Sequence, residues 1–452
     1  PFMSYERTYI HPNEFAHILG YVSTPNQKDL NQIDASYLDV PNLKVGKIGL
    51  EKNSNKILLG IPGSAIYEVN AFGKRVKNIE KIDGTNGSRI KTSIDKDIQI
   101  YAYQQLKEKS GSVVVMNMYG SVLCCVSSPS YDPNKFTYGI SYKDYDVLKN
   151  NEKKPLVNKA MTTTYPPAST FKMIVALSAL ENKIITKNFR HTCKGKVDLY
   201  EQRYHCWKDK GHGRINLKSA IKESCDIYFY EVARLLGIDR LQKTAFKFGL
   251  GDYVFQDFFE EAKGLVPSTS WKREALGKSW YLGETMISGI GQGYIKTTNV
   301  QLCKMIAQFA NGGYQINASF FDSSDLALGK KIIEDDEHIE LILKSLFEAT
   351  NHPGGTSYRS RIAGTMKLAG KTGTAQVRKI SESQREQDLK NKDLPWKFRD
   401  HSLFTGYGPA DNPKYAISVV IEHGGSGSAV AAPIARNVMR KIFEKERKLN
   451  NV

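Results

Sequence analysis

The chain has 452 residues, enough for roughly two to four domains, one of them large enough for a catalytic core. Its 40% hydrophobic and 10% aromatic content is that of a globular protein and excludes overall disorder. The net charge of +17 indicates anionic surroundings, but the basic residues are spread along the chain without any zinc-finger, helix-turn-helix or RNA-binding motif, so we expect no nucleic-acid partner.

Residues 1–90 are rich in Gly, Asn and Lys, and short β-type runs such as SAIYEVN alternate with turn signals such as Asp83-Gly84 and Asn86-Gly87. This pattern predicts an irregular, mostly β module at the N-terminus. We assign residues 91–452 to a second, larger domain.

The second domain begins with an amphipathic helix predicted over DKDIQIYAYQQLKEK, followed by a hairpin over GSVVVMNMYGSVLCCVSSP. The middle of the chain is helical, with a helix buried on all sides at MIVALSAL and further helices over KSAIKESCDIYFYEVARLL and NVQLCKMIAQFA. Strand patterns return at KLAGKTGTAQV, HSLFTGYG and YAISVVIEHG, before a last helix at AAPIARNVMRKIFEKERK. Strands at both ends of a helical middle predict an α+β fold, in which one antiparallel sheet carries segregated helices.

Within the helical region, the stretch YPPASTFKMIVAL places Ser169 and Lys172 three residues apart, on one face of a helix that begins after the Pro-Pro pair. A serine becomes a nucleophile only when a neighbouring group takes its proton, and a lysine one turn later can do so. Alone, this spacing often arises by chance, with the serine as a helix cap and the lysine on the surface.

Two later stretches make the pattern specific. ESCDIYFYE contains Ser224-Cys225-Asp226, and LAGKTGTAQ contains a K-T-G motif in a strand pattern. With S-x-x-K, S-x-D and K-T-G in this order, the sequence resembles the penicillin-binding proteins and their serine β-lactamase relatives. Stretches such as EVNAFGKRVK, SSPSYDPNKF, GIGQG and EHGGSGSAVAAPIA resemble the class B enzymes of the elongation type. The resemblance implies that residues 1–90 are a non-catalytic pedestal or dimerisation module, and that residues 91–452 are a β-lactamase-like transpeptidase domain.

The resemblance also implies a role for each residue of the first two motifs. Ser169 would attack the carbonyl of the penultimate D-Ala of a stem pentapeptide, Lys172 would act as the base, and Ser224 would pass a proton to the leaving amine. Asp226 would hold Lys172 in place. Many relatives carry Asn at this last position, and a carboxylate favours the charged form of a neighbouring amine. Either Asp226 is protonated or turned away, or the assignment of Lys172 as the base is less secure than that of the nucleophile.

The K-T-G strand would bind the substrate. Lys371, which belongs to the catalytic set, and Thr372 would hold the terminal carboxylate of the stem peptide. Gly373 would let the strand backbone approach the ligand closely. The backbone N–H groups of Ser169 and Thr374 would form the oxyanion hole.

The predicted function is therefore that of a serine-type D-Ala-D-Ala transpeptidase, which cross-links peptidoglycan stem peptides during cell elongation, is inhibited covalently by β-lactams and needs no cofactor for its chemistry. The resemblance implies a SEDS-family glycosyltransferase and an MreC-type shape protein as partners. It also implies a location at the periplasmic face of the bacterial inner membrane, with an N-terminal anchor outside this chain.

Two alternatives stay open: a D,D-carboxypeptidase or β-lactamase that uses the same motifs, and a protein whose main work is scaffolding. The stretch E-x-x-L-N, which carries the deacylating Glu of class A hydrolases, does not occur between positions 227 and 370. Its absence favours the transpeptidase.

A cluster of metal-binding residue types surrounds the second motif: Cys193, Cys206, His212 and Cys225. Their spacing matches no zinc-finger pattern, but Cys225 lies inside the S-x-D motif, so the fold must bring it close to the active site. We predict a structural zinc site formed by three cysteines and one histidine. A Cys193–Cys206 disulfide is the alternative in an oxidising compartment.

Overall fold

A computed structural model describes residues 6–199, 202–256, 258, 260–322, 326–378 and 391–450. The chain divides into two compact units. The first unit is formed by residues 1–92, 130–156 and 257–260, and the second by residues 93–129, 157–256 and 261–452.

The first unit combines strands with short helices. Strand Ser64–Val69 pairs antiparallel with Arg75–Ile82, and Val22–Ser23 pairs with Val45–Gly46. The helices are Pro12–Leu19, Gln27–Leu30, Gly49–Asn53, Asn55–Leu58, Asn134–Thr137 and Tyr142–Lys149. The prediction of a mostly β module over residues 1–90 missed the helices there, because four to eight residues are too few to leave a helical hydrophobic period in the sequence.

The centre of the second unit is an antiparallel sheet of five strands, in the order Ala369–Ala375, His401–Gly408, Tyr415–Ile421, Gly111–Asn117 and Val122–Ser128. These are the predicted hairpin and the three predicted late strands, so the two ends of the domain meet in one sheet and the α+β prediction is confirmed. The strand with the K-T-G motif lies at the edge of the sheet, because among the described strands it pairs with His401–Gly408 alone.

Helices cover both faces of this sheet. On one face, Val113 and Val115 join a hydrophobic core with the helices Lys96–Leu106 and Ala431–Asn450. On the other face lies the helix Asn299–Ala310, in which every residue is buried. The sheet is therefore the middle layer of the domain, and the three helices that flank it are those predicted from the sequence.

The helical region holds the remaining elements. After its first helix, Lys196–Leu199 pairs with Gln202–His205 and Arg190–Cys193 pairs with Gly213–Asn216, both antiparallel. The helices are Lys172–Glu181, Leu217–Lys222, Asp226–Leu236, Ile238–Lys247, Thr269–Leu276, Leu282–Ser288 and Asp336–Asn351. Within the described ranges of the chain, every helix is too short or too polar to cross a bilayer.

The helix predicted over residues 218–236 is broken in the structure. The first part ends at Lys222, Ser224 takes a left-handed backbone with φ 58°, and the second part begins at Asp226. Cys225 caps the second part, because its Sγ accepts a backbone N–H at 3.4 Å. A serine with a left-handed backbone does not change the helical spacing of the apolar residues around it. The sequence therefore could not indicate this break.

Candidate active site

The predicted nucleophile, Ser169, lies in a tight turn, Ala168–Phe171, which leads directly into the helix Lys172–Glu181. Ala168 has a left-handed backbone with φ 50°. This conformation costs a residue other than glycine about 1–2 kcal/mol. The N–H of Ala168 donates to the carbonyl of Gly291 at 2.9 Å, and this contact holds the strained turn in place.

The glycine-rich stretch GIGQG therefore supports the nucleophile. Gly291 has φ 70°, and a Cβ at this position would lie 2.2 Å from the carbonyl oxygen of Ala168. Only glycine satisfies both the conformation and the contact. The sequence marked this stretch only as part of the family resemblance, because its packing against the nucleophile turn depends on a tertiary contact.

Lys172 is fully buried, and its amine is surrounded by the second motif. Its Nζ donates to Oδ1 of Asp226 at 2.8 Å, to the carbonyl of Ser224 at 2.9 Å and to the hydroxyl of Ser224 at 3.2 Å. Asp226 is thus not turned away from the lysine. The amine of Lys172 therefore has three oxygen acceptors, one of them a carboxylate.

Lys371 approaches the same serine from the sheet. Its Nζ donates to Oγ of Ser224 at 2.9 Å and to the carbonyl of Thr372 at 3.1 Å. Complete burial, together with the positive charge of Lys172, lowers the pKa of Lys371 well below its ordinary value. The hydroxyl of Ser224 lies between the two amines and connects all three motifs in one hydrogen-bonded chain.

The remaining K-T-G residues, Thr372 and Gly373, line the cavity at this end of the sheet together with the next residue, Thr374. Oγ1 of Thr374 accepts the N–H of Gly427 at 3.2 Å. A Cβ at Gly373 would lie 3.2 Å from the carbonyl oxygen of Pro167. Glycine therefore allows the edge strand to pack closely against the loop that carries the nucleophile.

The three motifs open into one cavity of about 990 Å³. Of the predicted residues, those that line it are Ser169, Ser224, Asp226, Thr372, Gly373, Thr374 and, from the predicted metal set, Cys206. Other lining residues were not among the predicted site residues: Trp207, Tyr230, Gln292, Asp400 and Ser426. They come from separate loops and helices, so only the fold brings them together.

The cluster of cysteine and histidine residues adjoins the second motif. The ligand atoms of Cys193, Cys206, His212 and Cys225 all lie within 4.8 Å of one another. Nδ1 of His212 is 3.6 Å from Sγ of Cys193 and 3.5 Å from Sγ of Cys206. A tetrahedral zinc ion with ordinary bond lengths separates its nitrogen and sulfur ligands by about 3.6 Å. This donor set therefore fits zinc.

In the structure the six cysteines, including Cys193 and Cys206, are unpaired. The hydrogen bond between Cys225 and Cys206 lowers the pKa of the Cys206 thiol and raises that of Cys225, while burial raises the pKa of Cys193. Cys225 also stands between Ser224 and Asp226 in the chain, so the cluster is covalently continuous with the second motif.

Two family models match the chain. The model of the penicillin binding protein transpeptidase domain matches residues 111–440, which is most of the chain. The model of the penicillin-binding protein dimerisation domain matches residues 3–92.

Curated relatives and solved structures are similar over nearly the whole chain. Peptidoglycan D,D-transpeptidase MrdA of Escherichia coli K12 is 35% identical over 457 residues, which cover 97% of this chain and 70% of the relative. The crystal structure of Pseudomonas aeruginosa PBP2 in complex with WCK 5153 matches with a TM-score of 0.81 at 35% identity, over 95% of this chain and 88% of that one. The complex between PBP2 and MreC from Helicobacter pylori matches with a TM-score of 0.87 at 32% identity, over 96% and 78% of the two chains.

Proposed function

This chain belongs to the penicillin-binding protein transpeptidases, and we propose that it cross-links peptidoglycan stem peptides as a D,D-transpeptidase of cell elongation. The observation that carries this function is the hydrogen-bonded chain from Lys172 through Ser224 to Lys371, which meets Ser169 at a cavity of about 990 Å³. A cavity of this size is large enough to enclose several residues of a peptide ligand.

In the proposed reaction, Oγ of Ser169 attacks the carbonyl carbon of the penultimate D-Ala, and Lys172 takes the hydroxyl proton. Backbone N–H groups of Ser169 and Thr374 stabilise the oxyanion of the tetrahedral intermediate. The peptide C–N bond then breaks, and the terminal D-Ala leaves as an amine that receives a proton through Ser224. The amine of a second stem peptide attacks the ester on Ser169, forms the cross-link and returns a proton to the serine.

The two buried lysines, Lys172 and Lys371, provide a route by which the base can lose its proton. Burial and the charge of Lys172 lower the pKa of Lys371, so that amine can accept a proton. A substrate carboxylate beside Lys371 raises the pKa of that amine again, because an opposite charge favours its protonated form. A proton then passes from Lys172 through the hydroxyl of Ser224 to Lys371, and this transfer leaves Lys172 neutral.

The substrate carboxylate is held by Lys371 and Thr372. Two observations support this role: Thr372 lines the cavity, and the buried Lys371 holds its Nζ on the hydroxyl of Ser224, which also lines the cavity. A fixed cation beside a hydroxyl is well suited to bind the free C-terminus of a stem peptide. The same contact would bind the carboxylate of a β-lactam, which acylates Ser169 in place of the natural substrate.

A structural zinc ion belongs to this proposal, although the acyl transfer itself uses no cofactor. Cys193, Cys206 and Cys225 as thiolates and His212 as a neutral imidazole would hold the ion. When bound, zinc would tie the hairpins between Arg190 and Asn216 to the turn that contains Ser224. The distances between the ligand atoms support this assignment.

The partners and the location follow by analogy with relatives. Since the similar protein from Helicobacter pylori forms a complex with MreC, this chain works beside an MreC-type shape protein and a SEDS-family glycosyltransferase, at the periplasmic face of the inner membrane. Residues 1–90 form the non-catalytic pedestal, and residues 91–452 form the transpeptidase domain. The match of the dimerisation model to residues 3–92 supports this boundary.

The experiment that tests the function supplies the purified chain with a pentapeptide donor and an acceptor peptide with a free amine. A transpeptidase forms the cross-linked product and releases one D-Ala for each new bond, and Ser169→Ala forms neither. Release of D-Ala without cross-linked product would instead identify a carboxypeptidase. A donor that stays intact under conditions in which a penicillin acylates the chain would contradict both enzymes.

A further inference from the structure

Trp207 contacts the second motif from outside it. Its indole Nε1 donates to the carbonyl of Glu223 at 3.0 Å and to the carbonyl of Ser224 at 3.1 Å. Its backbone N–H donates to Oδ2 of Asp226 at 3.0 Å. A single residue therefore binds both sides of the turn that presents the Ser224 hydroxyl.

This turn needs support from outside, because Ser224 has a left-handed backbone with φ 58°. Such a conformation persists only where surrounding contacts enforce it. The carbonyls of Glu223 and Ser224 follow the end of the helix Leu217–Lys222, where carbonyl groups lack helical partners. The indole N–H of Trp207 supplies one donor to both of them.

The groups that Trp207 binds also hold the amine of Lys172. The carbonyl of Ser224 accepts from both Trp207 Nε1 and Lys172 Nζ. The carboxylate of Asp226 accepts the N–H of Trp207 on one oxygen and the Nζ of Lys172 on the other. A shift of the indole would therefore displace the acceptors of Lys172 together with the hydroxyl that lies between the two lysines.

We propose that Trp207 is a positioning residue for acylation: its indole N–H fixes the turn at Ser224, so that the hydroxyl stays aligned with Lys172 and Lys371. This inference rests on the proposed function, since acylation of Ser169 is the step that it affects. The ring is also 59% exposed and lines the cavity, so the test must separate loss of the N–H from loss of a ring contact with the ligand.

Two variants of the full chain make this separation. Trp207→Phe removes the N–H and shortens the ring, whereas benzothienylalanine at position 207 keeps the shape of tryptophan and replaces the N–H by sulfur. Acylation by a fluorescent penicillin, followed over a range of concentrations, gives the noncovalent dissociation constant and the first-order acylation rate separately. We expect both variants to lose about 10- to 100-fold in the acylation rate. The dissociation constant of the benzothienylalanine variant should stay within about threefold of the original.

Trp280→Phe is the matched control. The indole N–H of Trp280 also donates a hydrogen bond, to Oγ1 of Thr285 at 2.7 Å, but Trp280 is not among the described residues that line the cavity. It should be acylated at the original rate. An unchanged acylation rate with benzothienylalanine, or a loss confined to noncovalent binding, would overturn the role of Trp207. If the unmodified chain is not acylated, or if Ser169→Ala is labelled as well, the proposed function fails and this inference fails with it. That result is distinct from a rate loss restricted to the Trp207 variants.

Discussion

Nζ of Lys371 lies 2.9 Å from Oγ of Ser224, although the two residues are 147 positions apart in the chain. This contact joins the edge of the sheet to the helical region. The same hydroxyl faces Nζ of Lys172 at 3.2 Å, so two amines share one oxygen. The hydroxyl of Ser224 therefore provides a hydrogen-bonded route between the two lysines.

Replacement of Lys371 by Ala should lower the acylation rate of a penicillin with a free carboxylate by about 10²–10³-fold, because the variant loses both the cation for the carboxylate and the acceptor of the Lys172 proton. The loss should be clearly smaller for the methyl ester of the same penicillin, which has no carboxylate to bind. Second-order acylation constants for acid and ester measure both effects. Lys367→Ala, on the same segment, serves as a control, and equal losses for acid and ester would count against the carboxylate contact.

Gly291→Ala should destabilise the chain by about 2–4 kcal/mol and strongly slow acylation. Its new Cβ would lie 2.2 Å from the carbonyl oxygen of Ala168, next to the nucleophile. Gly277→Ala separates the cost of the backbone conformation from the cost of the contact with Ala168. Gly277 also has a positive φ, of 63°, but a Cβ there meets nothing within 4 Å. The control should cost only about 1 kcal/mol. Urea unfolding compares the two variants, and equal free energies of unfolding would show that the contact with Ala168 is unimportant.

The motif residues Ser169, Ser224 and Lys371 could be predicted from the sequence as candidate site residues, because the three motifs have a characteristic order. Trp207 and Gly291 could not be predicted, since each acts through contacts with residues that are distant in the chain. The left-handed turn at Ser224 was missed for a similar reason: hydrophobic periodicity continues across it, and the contacts that enforce it are tertiary. Local patterns thus identify the reacting groups, whereas the residues that hold them in place become visible only in the fold.

The purified chain should contain about one zinc ion per molecule. Cys206→Ser should lose the ion and unfold about 5–10 °C lower, because zinc binds the folded chain only. Cys303→Ser is the matched control, since Cys303 is buried elsewhere in the domain and its thiol donates to the carbonyl of Val114 at 3.5 Å. Elemental analysis and thiol counting after denaturation provide the measurement. A metal-free protein in which two thiols are missing would replace the zinc site with the Cys193–Cys206 disulfide.

A histidine of the sheet should make the stability of the chain depend on pH. Nδ1 of His401 accepts a hydrogen bond from the backbone N–H of His423 at 3.0 Å. Burial, followed by the charges of His423 and Lys296, lowers the pKa of His401 to about 3. In the unfolded chain a histidine has a pKa of about 6.5. As the pH falls below that value, His401 becomes protonated in the unfolded chain but stays neutral in the folded chain. The stability that is present at neutral pH is therefore progressively lost down to about pH 3.

At pH 5 this one residue should reduce the free energy of unfolding by about 2 kcal/mol relative to pH 7. Urea unfolding of the original chain and of His401→Gln at both pH values isolates the effect, because the variant should lose correspondingly less. His352→Gln, which changes an exposed histidine, should behave like the original chain. An equal pH dependence in the original chain and in His401→Gln would show that His401 is protonated in the folded state.

Covalent labelling of Ser169 tests the central claim most directly. The full chain is incubated with excess penicillin, and its intact mass is measured. The original chain should gain the mass of one penicillin and keep it over many minutes, as should Ser178→Ala, a control in the helix that follows the nucleophile turn. Ser169→Ala should gain no mass while it retains its circular dichroism spectrum and melting temperature, because the substitution removes only the attacking oxygen. A Ser169→Ala chain that still gains one penicillin would contradict the account.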